Sequence, residues 1–262
     1  MTFTLATWNI NSVRLREGLV AKLLSEESPD VLCLQECKSP VDKIPTEAFS
    51  ALGYRHMAAR GQKGYNGVAI LSKLPLKEVA AFDFADLGHA RHIAAELENG
   101  VTIHNFYVPA GGDIPDREAN EKFGQKLDYV AAMRDWAHRE APKKSILVGD
   151  LNIAPREDDV WNHKQLLKIV SHTPVETNLL NDAIAAGNWV DVTRQDIPDG
   201  LLYSWWSYRS PDWDAADKGR RLDHVWATPD ISNAAHGSRV LRAARAWEQP
   251  SDHAPVFATF DL

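Results

Sequence analysis

The stretch "LVGDLNIAP", residues 147–155, runs from apolar Leu147 and Val148 through a glycine to Asp150 and Asn152, and stops at Pro155. With the two residues before it, it reads as a short buried strand over 145–152 that ends in an acid and an amide. Side chains two apart on a strand share a face, so Asp150 and Asn152 fall together and Leu151 turns away. Asp and Asn are also common turn formers. By itself the stretch is therefore either strand-end turn chemistry or one edge of a site.

The segments around it are of mixed type. "TFTLATWNI" (2–10), "DVLCLQE" (30–36), "GVAILSK" (67–73), "RRLDHVWAT" (220–228) and "PVFATFDL" (255–262) read as strands. "RHIAAELENGVTIHNFYV" (91–108) reads as a hairpin turning at Asn99-Gly100. Helical spacing of Leu15, Leu19, Val20, Leu23 and Leu24 predicts a helix before Pro29. A second is expected over 117–140, with Phe123, Leu127, Val130 and Met133 on one stripe, and a third over 177–187, closed by Gly187. Hairpins and crossovers together predict an α/β (α+β) layered architecture rather than a purely parallel sheet.

Composition limits the alternatives. The chain has 262 residues, 44% hydrophobic and 25% charged, as expected of a soluble globular protein. No linker or repeat divides it, so residues 1–262 are expected to form one domain. With a net charge of −7, a polyanionic partner requires a local basic patch. Cys33 and Cys37 are too few for a disulfide scaffold and suggest a reducing compartment. There is no apolar run of membrane-spanning length and the N-terminus reads as a strand, so a cytoplasmic protein is expected.

Polar residues gather where strands end. Asn9, Glu36, Tyr107, Asp150 and Asn152 close strands, Asp223 lies in "RRLDHVW", and Asp252 and His253 precede the last strand. Each alone has an ordinary structural reading. Together their oxygens suit a hard divalent cation, and His253 with a nearby acid suits a base or phosphate contact. No Cys or His cluster has zinc spacing.

The motifs "TWNINSVR", "LCLQECK", "FYVPAGGD", "VGDLNIAP", "RRLDHVW" and "PSDHAPV" resemble, in this order, those of the exonuclease III class of abasic-site endonucleases, within the wider endonuclease/exonuclease/phosphatase fold. The resemblance runs from residue 3 to the C-terminus. It implies a four-layer sandwich of two packed mixed β-sheets flanked by helices. By motif, it implies that Asn9 and Glu36 ligate metal and that Asp252 ligates metal or positions the nucleophile. Asp150 would aim or deprotonate the attacking water, and Asn152 would hold that water or the phosphorane. Tyr107 would bond the scissile phosphate, and His253, oriented by Asp223, would do the same or act as base. Asp150, Asn152 and His253 are also candidate metal ligands. The implied cofactor is Mg²⁺, with Mn²⁺ as a substitute. The implied partner is double-stranded DNA with abasic sites or 3′ ends, engaged by a monomer without a membrane.

The implied activities are incision 5′ to abasic sites, 3′-to-5′ exonuclease action and 3′-end trimming. One alternative keeps the chemistry with little abasic incision, or turns it on RNA or lipid headgroups. Another is a DNA-binding relative without catalysis, against which the intact acidic set argues. Two positions depart from the family pattern: Ala110 stands where an amide is common, and Arg220 where a bulky apolar residue is common. "YSWWSYRSPDW" (203–213) carries five aromatics. By resemblance, Trp205 and Leu222, with Trp206, are expected against a flipped-out abasic sugar. Arg14, Lys38, Arg60, Lys63, Arg117, Arg209 and Arg220 are candidates for a phosphate-tracking rim.

Overall fold

The computed structural model describes residues 1–262. In chain order the strands are β1 (Thr2–Asn9), β2 (Val31–Gln35), β3 (His56–Arg60), β4 (Val68–Ser72), β5 (Leu76–Ala80), β6 (His92–Leu97) and β7 (Thr102–Tyr107). Then come β8 (Ser145–Asp150), β9 (Val190–Asp191), β10 (Trp205–Trp206), β11 (Gly219–Arg220), β12 (Asp223–Ala227), β13 (Ala235–Val240) and β14 (Val256–Asp261). One six-stranded sheet has the order β13-β14-β1-β2-β4-β3, and the other β5-β6-β7-β8-β12-β9. Each is mixed: β1–β2 and β7–β8 are parallel, and the other neighbours are antiparallel.

The two-residue period of the central strands explains the layers. In β1, Phe3 and Leu5 pack into the core between the sheets, while Ala6 and Trp8 turn outward against the helix Glu17–Glu26. In β8, Ile146 and Val148 face the inter-sheet core, and Leu147 packs with Val130 and Met133 of the helix Glu121–Glu140 and Leu180 of the helix Pro174–Ala186. Strands buried on both faces read as continuous apolar runs. The expected helices–sheet–sheet–helices sandwich is the architecture found.

Several boundaries differ from the sequence reading. The strand expected over 145–152 stops at Asp150, because Asn152 turns left-handed with φ +53°. The strand expected over 220–228 is two pieces, β11 and β12. The first helix begins at Glu17, leaving Leu15 exposed, and the long helix begins at Glu121, where the Asn120 side chain accepts from Lys122 N. The helix expected over 177–187 starts earlier, at Pro174, behind a Thr173–Glu176 capping box. No helix is long and apolar enough to cross a membrane.

Candidate active site

The same alternation that builds the core carries it into the site. Inward positions 5, 7 and 9 of β1 are Leu, Thr and Asn; positions 103, 105 and 107 of β7 are Ile, Asn and Tyr. On β8, positions 146 and 148 are apolar and 150 is Asp, and Asp223 shares its face with Val225 on β12. The gap between the sheets is thus apolar at depth and polar at one end. A buried plug marks the change: Gln35 Nε2 donates to Asn105 Oδ1 at 2.7 Å and to Thr7 Oγ1 at 2.9 Å. Strand register then lines up Tyr107 with Asp150 and Asp150 with Asp223.

Two residues reach the site by a turn rather than by alternation. Glu36 follows an inward Gln35 and would point outward on an extended strand; its φ of +51° brings the carboxylate back. Asn152 does the same with φ +53°. It joins Asp150 by turn geometry, not as a strand neighbour: Asn152 N donates to Asp150 Oδ1 (2.9 Å) and its Nδ2 to Asp150 Oδ2 (3.1 Å). Strained conformations of this kind cluster at functional sites.

Apart from Asp252, the polar side chains form one connected set. Asn9 Nδ2 donates to Asp150 Oδ2 (2.8 Å) and Glu36 Oε1 (3.0 Å), and the Tyr107 hydroxyl donates to Glu36 Oε1 at 2.7 Å. Lys38 Nζ lies 2.8 Å from Glu36 Oε2. His253 Nδ1 is 2.8 Å from Asp223 Oδ2, and its Nε2 is 3.7 Å from Asp150 Oδ2. Asp252 accepts from Trp205 Nε1 at 2.9 Å. Burial pushes the Glu36 carboxyl up, but the charge and hydrogen bonds of its neighbours, Lys38 foremost, hold it below its ordinary value. Burial raises Asp150 to about 7, against the opposing charge of His253. Burial alone would lower His253, but Asp223 and then Asp150 outweigh it and raise the imidazole to about 10.

Glu36, Asn152, Leu222, Asp252 and His253 line one cleft of about 1130 Å³. Trp205 and Arg220 face each other there across the β10–β11 pair. Trp206 is a correction: it is only 2% exposed, packs against Tyr203 and Trp213, and donates to Asp217, so it belongs to the core. Of the expected basic rim, Arg209 and Arg220 line the cleft, joined by Lys218, while Arg14 is exposed outside it. Arg60 donates to Phe82 O, and Arg117 pairs with Asp128.

Sequence reasoning missed Lys126 and Glu176. Both are fully buried and ion-paired, and Lys126 Nζ donates to Asn152 O at 2.7 Å. The available signal was a lysine three residues after Phe123, on the apolar stripe of its helix. Also unforeseen, Ser251 Oγ donates to Asn9 O at 2.6 Å, and Trp8 Nε1 to His253 O at 2.9 Å.

Apart from the imidazole nitrogen of His253, the donor set is hard: carboxylate and amide oxygens, with no sulfur. Ligand atoms of Asp150, Asp223 and His253 lie within 4.8 Å of one another, and Asp223 Oδ1 is buried without a hydrogen-bond partner. Glu36 is paired with the Lys38 ammonium, a cation that a metal there would displace. These residues fit a hard divalent ion.

A mixed-sheet sandwich with acids, an amide, a tyrosine and an acid–histidine pair at its strand ends defines a phosphoesterase-like class of enzyme. The profile of the Endonuclease/Exonuclease/phosphatase family matches residues 6–253, and the chain belongs to that family. The family is metal-dependent, in keeping with the buried acid–histidine group. The chain is 30% identical over 267 residues to exodeoxyribonuclease III of Haemophilus influenzae, covering 97% of this chain and 98% of that one. Among solved structures, it resembles a 3′ phosphatase, NExo, from Neisseria bound to a product DNA hairpin, at 34% identity and TM-score 0.90 over 99% of this chain and 100% of that one. It also resembles an AP endonuclease from Archaeoglobus fulgidus, at 31% identity and TM-score 0.92 over the same shares.

Proposed function

We propose that this chain is a Mg²⁺-dependent DNA-repair phosphodiesterase, acting as a monomer with residues 1–262 as one catalytic domain. It incises duplex DNA 5′ to abasic sites, degrades it 3′ to 5′ and trims blocked 3′ ends. The observation that carries the reading is the Asn9–Glu36–Tyr107–Asp150–Asn152 network meeting the His253–Asp223 pair at one end of the inter-sheet gap. The likeness to nucleases and phosphatases of DNA supports the substrate.

Glu36, Asn9 and Asp252 would hold the metal, with Asp150 beside them. Held there, Mg²⁺ would supply neutralisation of the charge growing on the phosphate and help the 3′-oxygen depart. Asp150, its carboxylate fixed by Asn9 and Asn152, aims and deprotonates a water for in-line attack. Its raised affinity for a proton supports this role. His253, its ring held by Asp223, would donate to a phosphate oxygen. The Tyr107 hydroxyl, bonded to Glu36, would turn to the phosphate. An abasic duplex labelled at its 5′ end should be cut on the 5′ side of the lesion with Mg²⁺ and remain whole in EDTA. Cutting in EDTA, or none with any DNA, removes the reading.

A further inference from the structure

Arg220 is a cleft residue for which the phosphodiester chemistry has no use. In the β10–β11 pair it stands opposite Trp205, and its guanidinium lies 5.1 Å from the indole centroid. Its Nη1 donates to Val170 O at 2.9 Å and Ser171 Oγ at 2.8 Å, and its Nε is buried without a partner. Both acceptors are neutral. Arg194 and Arg221, by contrast, are ion-paired with Asp159. A guanidinium drawn out of water with no carboxylate bonded to it, and only the more distant Glu176, already paired with Lys126, to offset its charge, keeps a desolvation cost that an arriving anion relieves. The bonds it then makes to phosphate are among the stronger hydrogen bonds.

A second observation points the same way. Lys218 lies 4.8 Å from the ring centroid of Trp161, another lining residue of the same cleft. Both indoles that could offer a bare apolar wall are thus covered by cations. A neutral abasic deoxyribose prefers a bare wall. A terminal phosphomonoester carries roughly −1.5 to −2 charge at neutral pH, more than a diester, and gains more from two cations.

We infer that Arg220 makes this cleft a receptor for a 3′-terminal phosphate, so that the chain strips 3′-phosphates from DNA ends in preference to incising at internal abasic sites. In that reaction, water adds to phosphorus as the P–O3′ bond breaks. The 3′-oxygen takes up a proton, giving a 3′-hydroxyl end and inorganic phosphate. The inference rests on the phosphodiesterase reading, and its test separates the two.

Wild type, Arg220→Leu and Arg220→Lys are compared on a nicked duplex ending in 3′-phosphate and on a duplex with an internal abasic site, with Mg²⁺. Binding of hairpins ending in 3′-phosphate or 3′-hydroxyl is measured in EDTA, and thermal unfolding confirms that the variants fold. Wild type should favour the phosphate end in both assays. Arg220→Leu should lower the ratio of phosphate removal to abasic incision about tenfold, chiefly through KM, and erase the binding preference, while Arg220→Lys retains part of each. Turnover in which Arg220→Leu slows both substrates equally, or neither, overturns the inference and leaves the phosphodiesterase reading. A binding preference that depends on Arg220 without turnover on any DNA does the reverse. Loss of both overturns both.

Discussion

Asp150 stands one residue past a glycine with φ +137°, whose added Cβ would meet Phe106 O at 1.9 Å. Only a residue without a side chain lets β8 lie this close to β7 in the register that sets Asp150 beside Tyr107. Gly149→Ala is therefore expected to cost about 3 kcal/mol and to displace the carboxylate; denaturant unfolding and turnover should both suffer. A variant of wild-type stability would show that the strands can part there without strain. The opening stretch was open to two readings for a definable reason. Residue types reveal that Asp150 and Asn152 are polar and close, but the left-handed turn that joins them depends on what Asn152 bonds, including Val108 O at 2.9 Å.

At the level of elements, the helices Glu121–Glu140 and Pro174–Ala186 are tied together beneath the site by Lys126 and Glu176. Glu176 also accepts from Ser171 N, Thr173 N and the Thr173 hydroxyl, while Lys126 supports the Asn152 turn. Lys126→Met should lower stability by about 3–5 kcal/mol, since it leaves a buried carboxylate unpaired. Adding Glu176→Leu should not restore it, because the donors at Ser171 and Thr173 then lose their acceptor. Recovery of the wild-type midpoint in the double variant would reduce the network to a simple ion pair. Central strands and long helices were legible because apolar periodicity records burial. The edge strands β3, β5 and β13 were not, since exposure thins the apolar pattern; β5, for one, is nowhere fully buried. Lys126 broke the apolar stripe, and its partner lies fifty residues away.

The whole molecule carries an acid sensitivity apart from its site. Burial lowers His104 and His224 to about 4 and holds His92 well below the ordinary 6.5, so all three are neutral in the fold. Unfolded histidine takes up protons near 6.5 and these folded ones do not. Their stability contribution is complete above that value and is lost as the pH falls from about 6.5 toward 4. The thermal midpoint should drop steadily over that window, and a flat profile between pH 7 and 5 would contradict it. At this scale the six ordered motifs made the family readable, because each marks a strand end that the fold gathers to one place. The cation-covered cleft wall was hidden, since Trp205 and Arg220 meet only through pairing of two short strands.

In the proposed mechanism, one strand-end network divides metal holding from water activation. The most direct test of that division is the DNA cleavage rate as a function of Mg²⁺ concentration in wild type, Glu36→Gln and Asp150→Asn. Glu36→Gln should shift half-saturation to higher Mg²⁺ and recover much of the rate at saturation. Asp150→Asn should bind DNA and stay about 100- to 10,000-fold slow at any Mg²⁺ concentration. Wild-type rates for Asp150→Asn, or a Glu36→Gln curve with unchanged half-saturation, would contradict the assignment.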